Sequence, residues 1–264
     1  MGSKESSAVM FSLHLACARQ AAGDGTTSPG GALRPWTGKI SEVAMAKPSK
    51  RKIVEAALAR YPKSYAERLG IDVAKNTPAP LYQWLLASLL FSTRIAASQA
   101  ESAAKALFDA GWRRPEKMAA TTWEARIKVL NRSGYARYDE STARYIADTT
   151  ARLREDYGGD LRKLREAAEC DPEEERKRLK AFKGIGEVGT DIFFREAQLA
   201  WSELYPFADK KALKSAGKLG LGEDAEALAR LVDDGAELVR LLTALVRIDL
   251  GKEHESVLEK AAEA

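Results

Sequence analysis

Leu179–Glu196 reads LKAFKGIGEVGTDIFFRE. A helix ending near Ala181 runs into Gly184-Ile185-Gly186, and a second helix begins near Val188. Two glycines around one apolar residue are what a tight turn between helices needs. They reach backbone angles closed to other residues and put no side chain in the way of an approaching group. Amides of the turn and of the next helix's first turn then point outward, where an anion such as phosphate can take them. Ile185 plugs the turn into a core, while Lys180 and Lys183 flank it with positive charge.

Outward from this hairpin, apolar positions recur at three and four from residue 48 onward. Leu81, Leu85, Leu86, Leu89 and Leu90 make one helix apolar on most sides, so it should be central. Pro78 and Pro80 favour its start. Gly111, Gly134 and Gly158–Gly159 mark helix ends, Thr121 or Thr122 a cap, and Asp171-Pro172 with Glu173–Glu175 a helix start. No strand-period segment of any length is present. The expected class is all-α, with about ten helices.

Residues 1–44 differ. Their run GDGTTSPGGALRP has no helical period and too little apolar surface to order itself, so a disordered extension is expected there and folded protein at 45–264. The stretch AVMFSLHLACA at 8–18 is short, broken by Ser12 and His14, and preceded by Lys4 offset by Glu5, which argues against an export signal. The longest dense apolar stretch, Trp84–Phe91, is far short of the 18 or so residues of a membrane span. A cytoplasmic monomer is the expectation. Two cysteines, Cys17 and Cys170, exclude a disulfide framework, a four-cysteine zinc site and a four-cysteine iron–sulfur cluster. His14 and His254 sit near opposite ends, which leaves acid–base chemistry to Asp, Glu, Lys or Tyr. No metal and no small-molecule cofactor is expected.

Charge is unevenly spread. Residues 222–264 carry eleven acids and five bases, and 45–221 a net charge of +9. A basic body with an acidic end suggests a surface that faces an anion; solvated helix faces are the plain alternative.

Downstream of the hairpin, Ala208–Leu221 reads ADKKALKSAGKLGL. Together the two segments resemble the endonuclease III-like (HhH-GPD) DNA glycosylases, whose hairpin reads roughly L-P-G-[VI]-G-x-[K or other]-T-A. The family's later V-D-T-H-V-x-R-V-x-x-R-L-G-L run matches the aspartate and the closing Leu-Gly-Leu. Pro80–Leu107 resembles the family's first barrel helix and its polar turn, and Gly134-Tyr135 the start of a DNA-inserting loop. The resemblance covers about residues 48–250 and implies a two-lobed bundle, with an inner lobe at about residues 80–195 and the remaining helices forming the second lobe.

Such a resemblance implies double-stranded DNA as partner, a flipped nucleotide, and cleavage of the bond between base and sugar. A carboxylate beside the sugar would stabilise the oxocarbenium ion that forms as the base leaves, and the match puts Asp209 there. A plain helix N-cap is the other reading of Asp209. DNA would be held by Lys180, Lys183, Gly184, Ile185, Gly186, Glu187, Val188 and Gly189 of the hairpin. Lys210 and Lys211 would bind phosphate or stay solvated. Thr93 and Arg94 occupy the gap-filling turn, where Thr93 is short and Arg94 has the reach. Tyr135, Arg137 and Tyr138 form either a second DNA-facing loop or an ordinary loop with a tyrosine at the core edge. Trp84, Trp112, Trp123 and Trp201 read as core. Two departures matter: Val188 stands at the position of the family's Schiff-base lysine, and the cluster cysteines are absent. Base removal by water without strand cleavage follows. An abasic-site lyase with a displaced lysine, a non-catalytic hairpin DNA-binding protein, and a helical interaction module using the acidic end remain open.

Overall fold

Side-chain caps open many of the helices. Ser49 accepts from the Lys52 amide ahead of α1 (Lys50–Arg60), and Ser64 makes a capping box with Glu67 ahead of α2 (Tyr65–Arg68). Pro78 takes the first position of α3 (Pro78–Phe91), where a missing N–H costs nothing. α4 (Ala97–Asp109) and a short α5 (Pro115–Ala119) follow. Thr122 caps α6 (Trp123–Arg132), and α7 (Asp139–Tyr157) stops at Gly158 and Gly159, both at positive φ. Asp160 caps α8 (Leu161–Ala167) and Asp171 caps α9 (Pro172–Lys180). The chain continues through α10 (Glu187–Ala197), α11 (Lys210–Leu219), α12 (Ala225–Ala229), α13 (Gly235–Gly251) and α14 (His254–Glu263).

The computed structural model describes residues 47–135 and 138–263. Every regular element in them is helical, so the all-α class stands, with fourteen α-helices and two 3-10 turns, Val73–Lys75 and Ser202–Leu204. The expected count of about ten is corrected upward: α2, α5 and α8 are too short to display a period, and α14 lies in the charged stretch beyond Gly251. The proposed extension at 1–44 and Arg137 lie outside the described residues.

Two apolar cores organise the helices. The first runs from Tyr65 to Leu204 around α3, in which every residue from Leu81 to Leu90 is buried. Trp84 and Trp201 lie inside this core, and Trp112 and Trp123 pack against it. The second joins Ile53, Val54 and Ala57 of α1 to α11, α12, α13 and α14.

α10 is the hub that holds these pieces together. Trp84 Nε1 donates to the Phe193 carbonyl at 3.0 Å, tying α10 to α3. Glu196, fully buried, accepts from Ser64 Oγ at 2.7 Å and the Ala66 amide at 3.1 Å, tying it to α2. Gln198 exchanges hydrogen bonds with the Phe207 backbone and so fixes the approach to α11.

Burial pushes the Glu196 carboxyl up to about 7, against the lowering pull of Ser64, Ala66 and Arg195. A carboxyl whose folded pKa is raised binds more protons folded than unfolded, so stability falls as pH rises through that window. Glu196→Gln, which mimics the protonated acid, should flatten stability against pH between about 4.3 and 7. Denaturant midpoints of both proteins across this range measure it; parallel curves would refute the assignment.

Candidate nucleic-acid interface and cleft

The hairpin is held from behind and open in front. Gly184 sits at φ +85, and a Cβ there would lie 2.9 Å from Tyr145 Cδ2 of α7. Ile185 is buried in the first core, as expected. Carbonyls at the turn are taken by side chains of α7 and of Ser92, which follows α3: Arg152 Nη1 donates to Ala181 at 2.7 Å, Thr149 Oγ1 to Lys183 at 3.1 Å and Ser92 Oγ to Gly184 at 3.4 Å. The amides of Gly184, Gly186, Glu187 and Val188, by contrast, have no hydrogen-bond partner among the described residues. Gly186 caps α10 with no side chain, and a Cβ added to it would meet nothing. Local sterics and local hydrogen bonding thus leave an outward row of donors at a helix N-terminus, a geometry that accepts anions.

Charges around the turn are mixed. Glu187, at the first position of α10, pairs with Lys180 and with Arg176 at 3.1 Å, and Arg176 also meets Asp191 at 2.8 Å. The hydrogen bond from Lys180, followed by its charge and that of Arg176, holds the Glu187 carboxyl below its usual range. Lys180 is therefore engaged within the fold, while Lys183 is exposed without an ion pair among the described residues.

Beside the hairpin lies a cavity of about 390 Å³ between the two cores. That size is within the roughly 300–1,000 Å³ of small-ligand sites. Tyr65, Phe91, Ile192, Val246 and Leu250 supply apolar wall, and Val188, 60% exposed, forms part of the mouth. Glu187, Asp191, Arg195, Asp209, Lys210 and Lys211 are its charged members.

Asp209 is both the N-cap of α11 and half of a buried ion pair. Its Oδ1 accepts from the Lys211 amide at 3.0 Å and the Ala212 amide at 3.2 Å. Its Oδ2 accepts from Arg195 Nε at 2.7 Å, and the two side chains are 5% and 4% exposed. Burial raises the Asp209 pKa, but the Arg195 charge, its hydrogen bond and the two amides outweigh it, so the carboxyl sits below its usual range. Burial lowers the Arg195 pKa and Asp209 more than restores it. Asp209 is thus fixed and ionised: suited to stabilising positive charge, and poorly suited to accepting a proton.

The cavity gathers Glu187, Val188, Asp209, Lys210 and Lys211 from the residues expected in the site. Thr93 and Arg94 sit on the turn between Phe91 and Ala97, both of which line the cavity, with Arg94 exposed and Thr93 half-buried. Of the two readings of Tyr135, the structure selects the packed one over the DNA-facing one: it is 1% exposed and belongs to the first core, so its ring is not presented at a surface. Tyr138 is half-buried against the same core. Arg195 was not foreseen. Its signal is the i, i+4, i+7 stripe Val188-Ile192-Arg195, which puts a cation on the face of α10 that turns toward the cavity. Among the described residues no group of His, Cys, Asp and Glu side chains could hold a metal ion, and no helix is long and apolar enough to cross a membrane.

No family model matches the sequence, and no curated protein matches it. Solved structures to which the chain is similar include a trapped endonuclease III–DNA covalent intermediate, an estranged-adenine complex. The TM-score is 0.43 at 16% identity, covering 76% of this chain and 85% of that one. Another is the H. pylori 3-methyladenine DNA glycosylase bound to 1,N6-ethenoadenine, with a TM-score of 0.44 at 16% identity over 78% of this chain and 98% of that one.

The two hairpin glycines should behave differently. Gly184→Ala must hold a positive φ and push Tyr145 aside, and should cost about 1–3 kcal/mol. Gly186→Ala has space and an accessible backbone, and should cost less than about 1 kcal/mol. Chemical denaturation of both variants checks the order; equal losses would contradict the geometry.

Proposed function

We propose that this chain is an endonuclease III-like DNA N-glycosylase that hydrolyses the bond between a damaged or mispaired base and its sugar in duplex DNA. One observation carries the reading. Asp209, ionised and immobilised, opens onto the same cavity as the first turn of the hairpin's second helix, whose amides are free to take a backbone phosphate. A phosphate gripped at the hairpin would bring its nucleotide to the cavity. The carboxylate would then stabilise the sugar cation as the base departs, and water would complete the substitution. Free Lys183, Lys210 and Lys211 would add salt-dependent contacts to the backbone.

Base removal without strand cleavage is supported by Val188, a side chain with no amine at the lyase position. A displaced lysine is the competing chemistry, since Lys210 and Lys211 border the same cavity. Borohydride trapping on abasic DNA separates the two, and the monofunctional reading expects no adduct. A second reading, DNA binding without catalysis, is favoured by one observation: Arg195 answers much of the Asp209 charge that catalysis would use.

Duplexes each carrying one lesion, incubated with the protein and then treated with alkali, should yield breaks at one or more lesions. Asp209→Asn keeps a capping oxygen and should lower that activity by at least about 10²-fold, with duplex affinity retained and a thermal melt confirming the fold. Gly186→Ala and Lys183→Ala should instead weaken duplex binding, with Lys183→Ala reducing the salt slope by about 1. Salt-dependent binding with no break at any lesion would favour the non-catalytic reading. An Asp209→Asn protein as active as the wild type would remove Asp209 from the chemistry.

A further inference from the structure

The buried cation beside Asp209 has capacity to spare. Arg195 spends only Nε on the carboxylate; its two terminal Nη groups have no hydrogen-bond partner among the described residues. Neither belongs to the unpartnered atoms sealed from solvent, and Arg195 lines the cavity. A guanidinium that is 4% exposed overall therefore presents free donors at the cavity surface. The cavity's acids are already answered: Glu187 by Lys180 and Arg176, Asp191 by Arg176, Asp209 by Arg195. Lys210 and Lys211 have no ion pair among the described residues. The charged hydrogen-bonding capacity left over is that of cationic donors, set among apolar walls.

We propose that Arg195 is a specificity-determining residue, its Nη donors reading a carbonyl oxygen on the flipped base and steadying that base as it leaves. The inference rests on the glycosylase reading and deepens it. In the step concerned the C1′–N bond breaks, with both electrons going to the base. Negative charge spreads from the ring nitrogen to the conjugated carbonyl, where a guanidinium can donate to it. Water forms the new C1′–O bond, and its proton ends on the released base. Arg195 gains and loses no proton. A base with a carbonyl that departs as an anion is favoured by this arrangement. An N-alkylated purine that is already cationic meets like charge and departs as a neutral base, developing no anion for the guanidinium to steady.

The full chain is assayed on duplexes containing uracil or 7-methylguanine, as wild type and as Arg195→Lys, which keeps the charge beside Asp209 and loses the fork. The wild type should prefer uracil in kcat/KM by about tenfold or more, and Arg195→Lys should collapse that ratio toward one. Should Arg195→Lys not fold, Arg195→Gln with Asp209→Asn replaces the pair by neutral amides. Binding is then read with duplexes carrying 2′-fluoro-deoxyuridine or a base-free tetrahydrofuran site. The wild type should favour the former, and the double variant should not. A wild-type preference for 7-methylguanine, or an unchanged ratio in a folded Arg195→Lys, would overturn the role of Arg195 while leaving the glycosylase reading intact. An equal loss of affinity for every duplex, undamaged DNA included, would reassign Arg195 to phosphate. No product from either lesion or from a wider lesion panel would sink the glycosylase reading and this inference with it.

Discussion

A guanidinium and a carboxylate meet at 2.7 Å where α10 meets the N-cap of α11, each almost fully removed from water. Stripping water from two such groups costs several kcal/mol per ion, and their attraction offsets this only when the geometry is good and the remaining valences are filled. Here two amides of α11 fill the other carboxylate oxygen. The pair therefore depends on the helix it caps, and the helix depends on the pair. It also fixes the distance between the hairpin helix and the second core, because Arg195 belongs to one and Asp209 leads into the other. The cavity between them is a consequence of that spacing.

The hairpin works by a division of backbone labour. Side chains of α7 and of Ser92 occupy its carbonyls, and the positive φ of Gly184 turns the chain so that the amides are left over. An unanswered donor is costly only when it is buried, and these lie on residues exposed to water. Glu187 sits at the mouth of the same helix, yet its charge is drawn off by Lys180 and Arg176, so it does not compete strongly for the row of amides.

Much of this was legible from residues alone, for reasons that can be named. Gly184 announces the turn because few other residues take its positive φ, whereas the extended backbone of Gly186 is open to any residue. The apolar run of α3 announces the centre of the first core because its residues have nowhere else to go. Asp209 reads as a cap from its place before Lys210–Leu219, and the structure makes it one. What stayed hidden depended on long-range geometry. Tyr135 looks like a loop residue, and only the packing of the first core shows that its ring is inside. Arg195 looks like one more surface cation until α10 is seen buried on most sides. Four helices escaped because three are shorter than two turns and the fourth lies in a charged segment that suggests solvent.

The second core closes a long loop, since α1 packs with α13 and α14 while the whole first core lies between them in the chain. Contacts so distant in sequence are slow to form, because the intervening chain must first give up its freedom. The first core, contiguous from Tyr65 to Leu204, closes shorter loops, such as those that join Trp84 to Phe193 and Ser64 to Glu196. Condensation in that order leaves α1, which is made early, waiting for partners that are made last. The wall supplied by Val246 and Leu250 is then the final surface to arrive, and a half-made molecule would carry the hairpin's unpartnered amides with no chamber behind them.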